Sequence, residues 1–523
     1  MIDESAPPSL NELEEDGGIH QRLAFYPLTD LGNAERFRDR SRGKFLWSPA
    51  LGWLWWDGRR WARDGAAERV MAAEQATVRA IQDEADSIRG TERDQLLGAK
   101  RILGTERKWL LSDALAAWGV TSEHANRLAP IAKQAAPYLY VEPTELDADP
   151  FKFNVANGTL VFRKSRAADY VSFKPHDPAD RITKCSPVIY DPKAECPIFD
   201  AFLEFVQPNA DDRRFLLQWE GSSLTGDVGD QKLCVFWGKG KNGKSTFIDI
   251  IAFVKGDYSE TVPIETFLNE GRSRSAGQAT PDLAILPGVR HLRTSEPDKG
   301  AKLAEALIKL ATGGEPIQAR HLNHDYFKFY PQFKLTISGN YRPQISGADE
   351  GIWRRVQLVP WPVTVPSDNV DRHLGDKLRD ETSGILNRLL DGLRDWLGNG
   401  LVAPESVLSA TADYRSASDP LGRFLETCVE ISKNDRTQSS VVHEVFCAWA
   451  KANGASIWSN RGLSLALAER GFKVKQSNVM WWLGMKLIKG VEDFVDQDGK
   501  PLHVAEPAAS DAPAASNDVV QWS

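Results

Sequence analysis

The stretch LCVFWGKGKNGKSTFIDI, residues 233–250, decides how the chain is read. Leu233 to Trp237 form an apolar run with the character of a buried strand, and apolar residues resume at Phe247-Ile248 as the start of a helix. Between them lies G-x-x-x-x-G-K-S in the strand, loop and helix setting that holds a nucleoside triphosphate. Glycines let the backbone N–H groups of the loop turn toward phosphate, and the new helix adds its positive N-terminal end. The candidate nucleotide cradle is therefore Gly238, Gly240, Asn242, Gly243, Lys244, Ser245 and Thr246. Lys244 is placed to neutralise the β- and γ-phosphates, and Ser245 to hold Mg²⁺ through its hydroxyl.

A phosphate loop needs partners, and the chain offers them downstream in order. Residues 289–296, VRHLRTSE, read as a polar strand ending in a carboxylate, so Glu296 is the candidate for organising Mg²⁺ and polarising a water, with Asp298 as competitor. Residues 333–340, FKLTISGN, read as a strand ending in an amide, and Asn340 can both donate to a phosphate oxygen and accept from water. Arg354 and Arg355 follow; neighbouring side chains on an extended segment point opposite ways, so one should reach phosphate and the other serve structure, with Arg355 preferred for the phosphate.

Alternating strands and helices over residues 231–365 predict a parallel sheet covered on both faces. Upstream, Trp47, Trp53, Trp55, Trp56 and Trp61 crowd a segment punctuated by Gly, Asp and Pro, which predicts a small β-unit. Those rings either fill its core or, beside Arg59 and Arg60, stack bases. Residues 65–140 read as helical, including Leu97, Ile102, Leu103, Trp109 and Leu110. Residues 153–162, FNVANGTLVF, read as a hairpin split at Asn157-Gly158. The expected division is an acidic disordered tail (1–18), an α+β N-terminal region (19–223), the core (224–403), a linker (404–419), a C-terminal domain of two helices and a small sheet (420–498) and a second disordered tail (499–523).

The length of 523 residues suits several domains, and the composition is that of a globular protein. Five cysteines without a Cys-x-x-Cys pair argue against a zinc site or a disulfide framework. Without a signal peptide or a bilayer-length apolar run, the reading is cytoplasmic, with no membrane partner. The net charge of −8 offers no bulk argument for nucleic acid. Its source is local: residues 1–20 carry six acids and no Lys or Arg, and residues 491–523 carry seven acids against Lys500, leaving 63 basic and 59 acidic residues between them.

GKGKNGKST (238–246), TSE (294–296), IKLATGGEPIQAR (308–320), FKLTISGN (333–340) and DEGIWRR (349–355) resemble the superfamily 3 helicases, specifically the phage and plasmid primase-helicase family related to the poxvirus primase-helicase. TDLGNAERF (29–37), FNVANGTL (153–160) and YDPKAECPIFDAFL (190–203) are similar to the domain that precedes the motor in that family. The resemblance implies an AAA+-like P-loop ATPase core of α/β class, followed by a winged-helix-like domain, and a hexameric ring that hydrolyses ATP between subunits and moves 3′ to 5′ on single-stranded DNA. It also implies a channel hairpin near residues 320–328, with Lys309, Arg320, His321, His324 and Lys328 as DNA contacts; His324 stands where the family commonly has Lys. The aromatic unit is too short for a polymerising primase, so a separately encoded primase or DNA polymerase is the expected partner. Two other classes compete: an ATP-controlled replication initiator that binds an origin, and a P-loop kinase, which explains neither Arg354-Arg355 nor the long flanks.

Overall fold

The computed structural model describes residues 18–102, 105–164, 170–269, 280–322, 325–345, 350–496 and 500–502. Both expected tails lie almost wholly outside this set.

After a short helical segment at Gly18–Leu23, the N-terminal region forms helix α1 (Asp30–Ser41) and a three-stranded antiparallel sheet, β1 (Phe45–Ser48), β2 (Gly52–Trp56) and β3 (Trp61–Ala62). None of the five tryptophans is exposed. Trp61 is buried and donates to Pro178 O at 2.8 Å, while Trp53 and Trp55 pack on a core that includes Phe37, Phe45 and Ile81. Trp56 packs beside Trp61 in a second small core, so four of the five rings fill cores, while Trp47 lies half-buried beside Tyr140. Helix α2 (Ala66–Ile88) and helix α3 (Leu111–Ser122) cover that core. A fully buried pair, Arg36 Nε to Glu84 Oε2 at 2.8 Å, ties α1 to α2.

Between α2 and α3 the helical expectation fails. Residues 96–102 and 105–110 form an antiparallel ribbon, β4 (Leu96–Ile102) and β5 (Thr105–Leu110). Of the apolar residues taken as one helical face, Leu97 is 51% exposed, Trp109 and Leu110 are only half-buried, and Leu103 lies outside the described residues. Without a face to bury, helical spacing stabilises nothing, and Gly98 at φ +139° suits extended backbone.

Strands β6 (Lys152–Val155), β7 (Gly158–Phe162) and β8 (Val171–Lys174) form the next sheet. The hairpin is present, but its turn lies on Ala156-Asn157, because Val155 pairs with Gly158. Gly158 is needed for space instead: a Cβ there would stand 2.5 Å from the Phe173 ring.

Helices α4 (Pro197–Val206) and α5 (Ala210–Ser222) lead into the expected parallel sheet. Its strands are β9 (Leu233–Trp237), β10 (Ser259–Val262), β11 (His291–Thr294), β14 (Lys334–Gly339) and β15 (Val356–Pro360), in the spatial order β10-β11-β14-β9-β15. Between β11 and β14 the chain forms helix α7 (Glu305–Gly313) and a two-stranded antiparallel pair, β12 (Ile317–Ala319) and β13 (Phe327–Phe329). Helix α6 (Lys244–Lys255) follows β9, and helix α8 (Thr382–Asn399) packs on α5. The α5–α8 contact is backbone on backbone, since a Cβ on Gly392 would lie 2.0 Å from Leu217 O and one on Gly221 2.4 Å from Leu393 N. Residue 223 is therefore no seam: Phe153, Phe199, Trp219, Phe247 and Leu389 share one core.

Residues 404–419, expected as a linker, are a helix, α9 (Glu405–Ser418). Val407 and Tyr414, two turns apart on one face, are buried, and Thr411 Oγ1 accepts from Leu358 N at 2.9 Å, which fastens the helix to β15. Helix α10 (Pro420–Cys428) then opens a separate unit of α11 (Ser439–Ala452), α12 (Asn460–Glu469) and a sheet of β16 (Val429–Gln438), β18 (Met480–Leu487) and β17 (Lys473–Gln476). Its core, around Phe424, Phe446, Trp449 and Trp482, is its own. Among the described residues no helix is long and apolar enough to cross a membrane.

Candidate functional site

In a parallel sheet every strand ends on the same side, and a crevice opens where the connections diverge. Strand β9 is such a point: the chain leaves it for β10, three places away, while its own neighbours are β14 and β15. The loop after β9 lies at that edge. Gly240 (φ +90°), Lys241 (φ +48°) and Gly243 (φ +79°) all turn through the left-handed region. Gly243 is also fixed from below, since a Cβ there would stand 2.6 Å from Val206 Cγ1. Asn242 is buried inside the loop, with Nδ2 3.5 Å from Trp361 O, so it braces the loop more than it lines the cradle. Over Gly240 there is room: the nearest atom to an added Cβ would be Asn340 Oδ1, at 3.9 Å.

Lys244 opens α6, is 5% exposed, and donates to Gly238 O at 3.0 Å. Burial pulls its ammonium below the ordinary lysine value, while the Glu296 charge pulls it the other way. A desolvated cation resting on a single carbonyl is suited to an incoming anion. Ser245 and Thr246 follow in the first turn, Ser245 exposed.

Glu296 lies two residues beyond β11, exposed at the same edge. Its Oε1 accepts from Asn340 N at 2.5 Å, and Trp237 Nε1 donates to Asn340 O at 3.1 Å. The ends of β9, β11 and β14 are thus bound together through Asn340. Gly339 makes the approach possible, because a Cβ there would stand 2.8 Å from Pro297 Cδ and 3.1 Å from Glu296 Cγ. Asp298, the competing carboxylate, is exposed in the turn beyond.

The arginines stand elsewhere. Leu233 N donates to Arg355 O at 2.9 Å, which puts Arg355 at the starting edge of the sheet, a strand length of about 17 Å from the loop. Arg355 is 6% exposed, with Nε donating to Thr312 Oγ1 at 3.0 Å and Nη2 to Gln231 Oε1 at 3.3 Å. The preference between the two therefore reverses: Arg355 is held by its own chain, and Arg354 is the exposed one. The backbone turns here before β15 begins, and Gly351 O, one helical turn back, accepts from Arg355 Nη1.

Of the expected DNA contacts, Arg320 and His321 lie between β12 and β13, Lys328 is exposed on β13 opposite Gln318, and Lys309 lies half-buried on α7. Arg320 stacks over the Tyr326 ring at 4.9 Å and His321 against Phe327 at 5.8 Å. His324 lies outside the described residues. Sequence reasoning missed Gln231, Thr312 and Trp361, whose roles depend on contacts distant along the chain. It also missed a buried cluster under the sheet, in which the Lys255 ammonium donates to Glu220 and Ser223, with His291 Nε2 3.6 Å from Glu220.

Several known proteins are similar to this chain. Residues 34–208 match the family described as D5 N terminal like. The "Putative helicase L207/L206" of Acanthamoeba polyphaga mimivirus is 29% identical over 273 residues, covering 49% of this chain and 28% of that protein. The "Putative helicase 022R" of Frog virus 3 is 28% identical over 272 residues, 48% of this chain and 28% of that protein. The "Putative primase C962R" of African swine fever virus (isolate Pig/Kenya/KEN-50/1950) is 23% identical over 344 residues, 62% of this chain and 35% of that protein. The match thus spans about a third or less of each relative's length. A solved structure, the apo NrS-1 C terminal region (305-718), overlaps 64% of this chain and 96% of its own at 9% identity with a TM-score of 0.37, too loose to bear on the fold. The N-terminal match and the viral relatives together support a likeness of this chain to the D5-like primase-helicases.

Proposed function

We propose that the chain is an ATP-dependent DNA helicase of a phage, prophage or plasmid, working in the bacterial cytoplasm as a hexameric ring with an AAA+-like P-loop core. The observation that carries this reading is the junction of Glu296, Asn340 and the loop after β9 at one edge of the sheet. Gly238, Gly240, Gly243 and Thr246 would shape the ATP cradle, with Asn242 bracing it and Lys244 meeting phosphate. Ser245 and Glu296 would hold Mg²⁺, which supplies charge neutralisation at the phosphates. Asn340 would orient the attacking water, and Glu296 would draw its proton.

Arg354, a sheet length from its own loop, would act on the nucleotide of a neighbouring subunit, and this supports a site shared in a ring. The pair β12 and β13, with Lys309, Arg320, His321 and Lys328 about it, would grip single-stranded DNA, with movement 3′ to 5′ and a separately encoded primase or polymerase as partner. The two helices and three-stranded sheet after residue 420 would be the winged-helix-like domain.

Displacement of a strand from a 3′-tailed duplex in the presence of ATP tests the reading. The separate core of the C-terminal unit favours one alternative, an initiator in which ATP controls assembly on an origin. DNA-stimulated hydrolysis without duplex opening would establish that alternative instead.

A further inference from the structure

The ribbon of β4 and β5 is absorbed by no part of the motor. It leaves a pinned base: Asp94 accepts from Ser112 N at 3.0 Å and Ser112 Oγ at 2.8 Å, and Leu111 N donates to Gln95 O at 2.9 Å. Beyond that base it stands in solvent, with residues 96–101 and 105–108 all exposed. It carries Lys100, Arg101, Arg107 and Lys108 against a single acid, Glu106.

The pairing fixes which face each charge occupies. Lys100 lies opposite Arg107, Ala99 opposite Lys108, and Arg101 opposite Glu106. Directly opposed residues share a face and successive residues alternate, so Lys100 and Arg107 lie on one face and Arg101 and Lys108 on the other. Like charges directly opposite each other destabilise a strand pair, and an isolated two-stranded ribbon has little stability to spare. Lys100 relieves part of this by resting its ammonium 3.6 Å from the Trp109 ring centre.

An arm with cations on both faces fits a partner with anions on both sides of it. A single strand lying on a flat face would need charge on one side and open aromatic rings for its bases, whereas here the Trp109 ring is capped by Lys100. The major groove of duplex DNA, about 12 Å wide, admits a two-stranded ribbon and presents a phosphate wall to each face. We propose that β4 and β5 form a duplex-DNA-binding arm that enters the major groove. The contact is independent of the ATP site and of the motor reading.

The test is equilibrium binding of the full chain, without nucleotide, to a blunt duplex and to an unstructured single strand of equal length, across about 50–200 mM salt. Replacing Lys100, Arg101, Arg107 and Lys108 together with Gln should weaken duplex binding at least about 10-fold and flatten the log–log salt slope by about 3 to 4, with single-strand binding within about 2-fold. Lys100→Gln with Arg107→Gln, and Arg101→Gln with Lys108→Gln, should each remove about half of that slope. An unchanged duplex slope, equal losses on duplex and single strand, or the entire loss from one face would overturn the proposal. A change in assembly mass with duplex affinity intact would do the same, marking the ribbon as a contact between copies of the chain. Failure of strand displacement would leave this outcome untouched.

Discussion

The two edges of the five-stranded sheet are built on opposite plans. At the edge where the strands end, three glycines keep the backbone bare, Glu296 is exposed, and Lys244 rests on one carbonyl. At the edge where they begin, Arg355 is buried with Thr312, Gln231 and Gly351 as acceptors, and only Arg354 reaches solvent. One edge is arranged to receive an anion; the other spends its cation on architecture and offers a second outward. The outward cation is held only at its side, Arg354 Nη2 lying 3.3 Å from Gln231 Oε1.

The largest effect should come from the receiving edge. Lys244→Ala is expected to cut ATP turnover by more than about 10³-fold with little change in melting temperature, because the amine it removes is already desolvated. Retained turnover would break the contrast at its strongest point. Next, the two arginines should separate: Arg354→Ala should lower turnover by about 10³-fold at unchanged stability. Arg355→Ala should instead lose about 2–4 kcal/mol of unfolding free energy, through the acceptors it strands. Mixing the Lys244 and Arg354 variants should recover part of the hydrolysis; none would argue against a shared site. If Arg355→Ala abolished turnover in a fully stable protein, the assignment of the two side chains would have to be exchanged again.

Two smaller effects sharpen the comparison. Gly339→Ala should cost about 1–3 kcal/mol and displace Glu296, lowering turnover more than nucleotide affinity, as read from kcat against KM. The second concerns the buried cluster at His291, the first residue of β11. Burial, then the Lys255 and Arg293 charges, hold the His291 imidazole well below its ordinary value. A base whose folded pKa lies below its unfolded one binds fewer protons when folded. Stability should therefore be complete above about pH 6.5 and fall by up to about 1.4 kcal/mol per pH unit below it. Urea midpoints from pH 7.5 to 5 should show that slope, and His291→Gln should flatten it.

What was legible in the chain follows locality. The loop and the strands β9, β11 and β14 were readable because apolar runs, glycines and a terminal polar residue lie side by side in sequence. The choice between Arg354 and Arg355 was not, since both reach Gln231 and it is Thr312, arriving from another element, that holds Arg355 inside. The ribbon misled for the opposite reason: Leu97 falls at helical spacing from the apolar residues after it but stands exposed. The helix at 405–418 was hidden by its polar surface, with only Val407 and Tyr414 to mark the buried face.

The paired glycines of α5 and α8 also bear on how this protein can be divided. A fragment starting at residue 224 would strip α8 of Phe215, Leu216 and Trp219 and leave a greasy, glycine-notched strip in water, a surface that self-associates. Trimming the chain to its parallel sheet would therefore yield aggregates, whereas a cut near residue 419, where one core ends and another begins, would release a unit with its own interior.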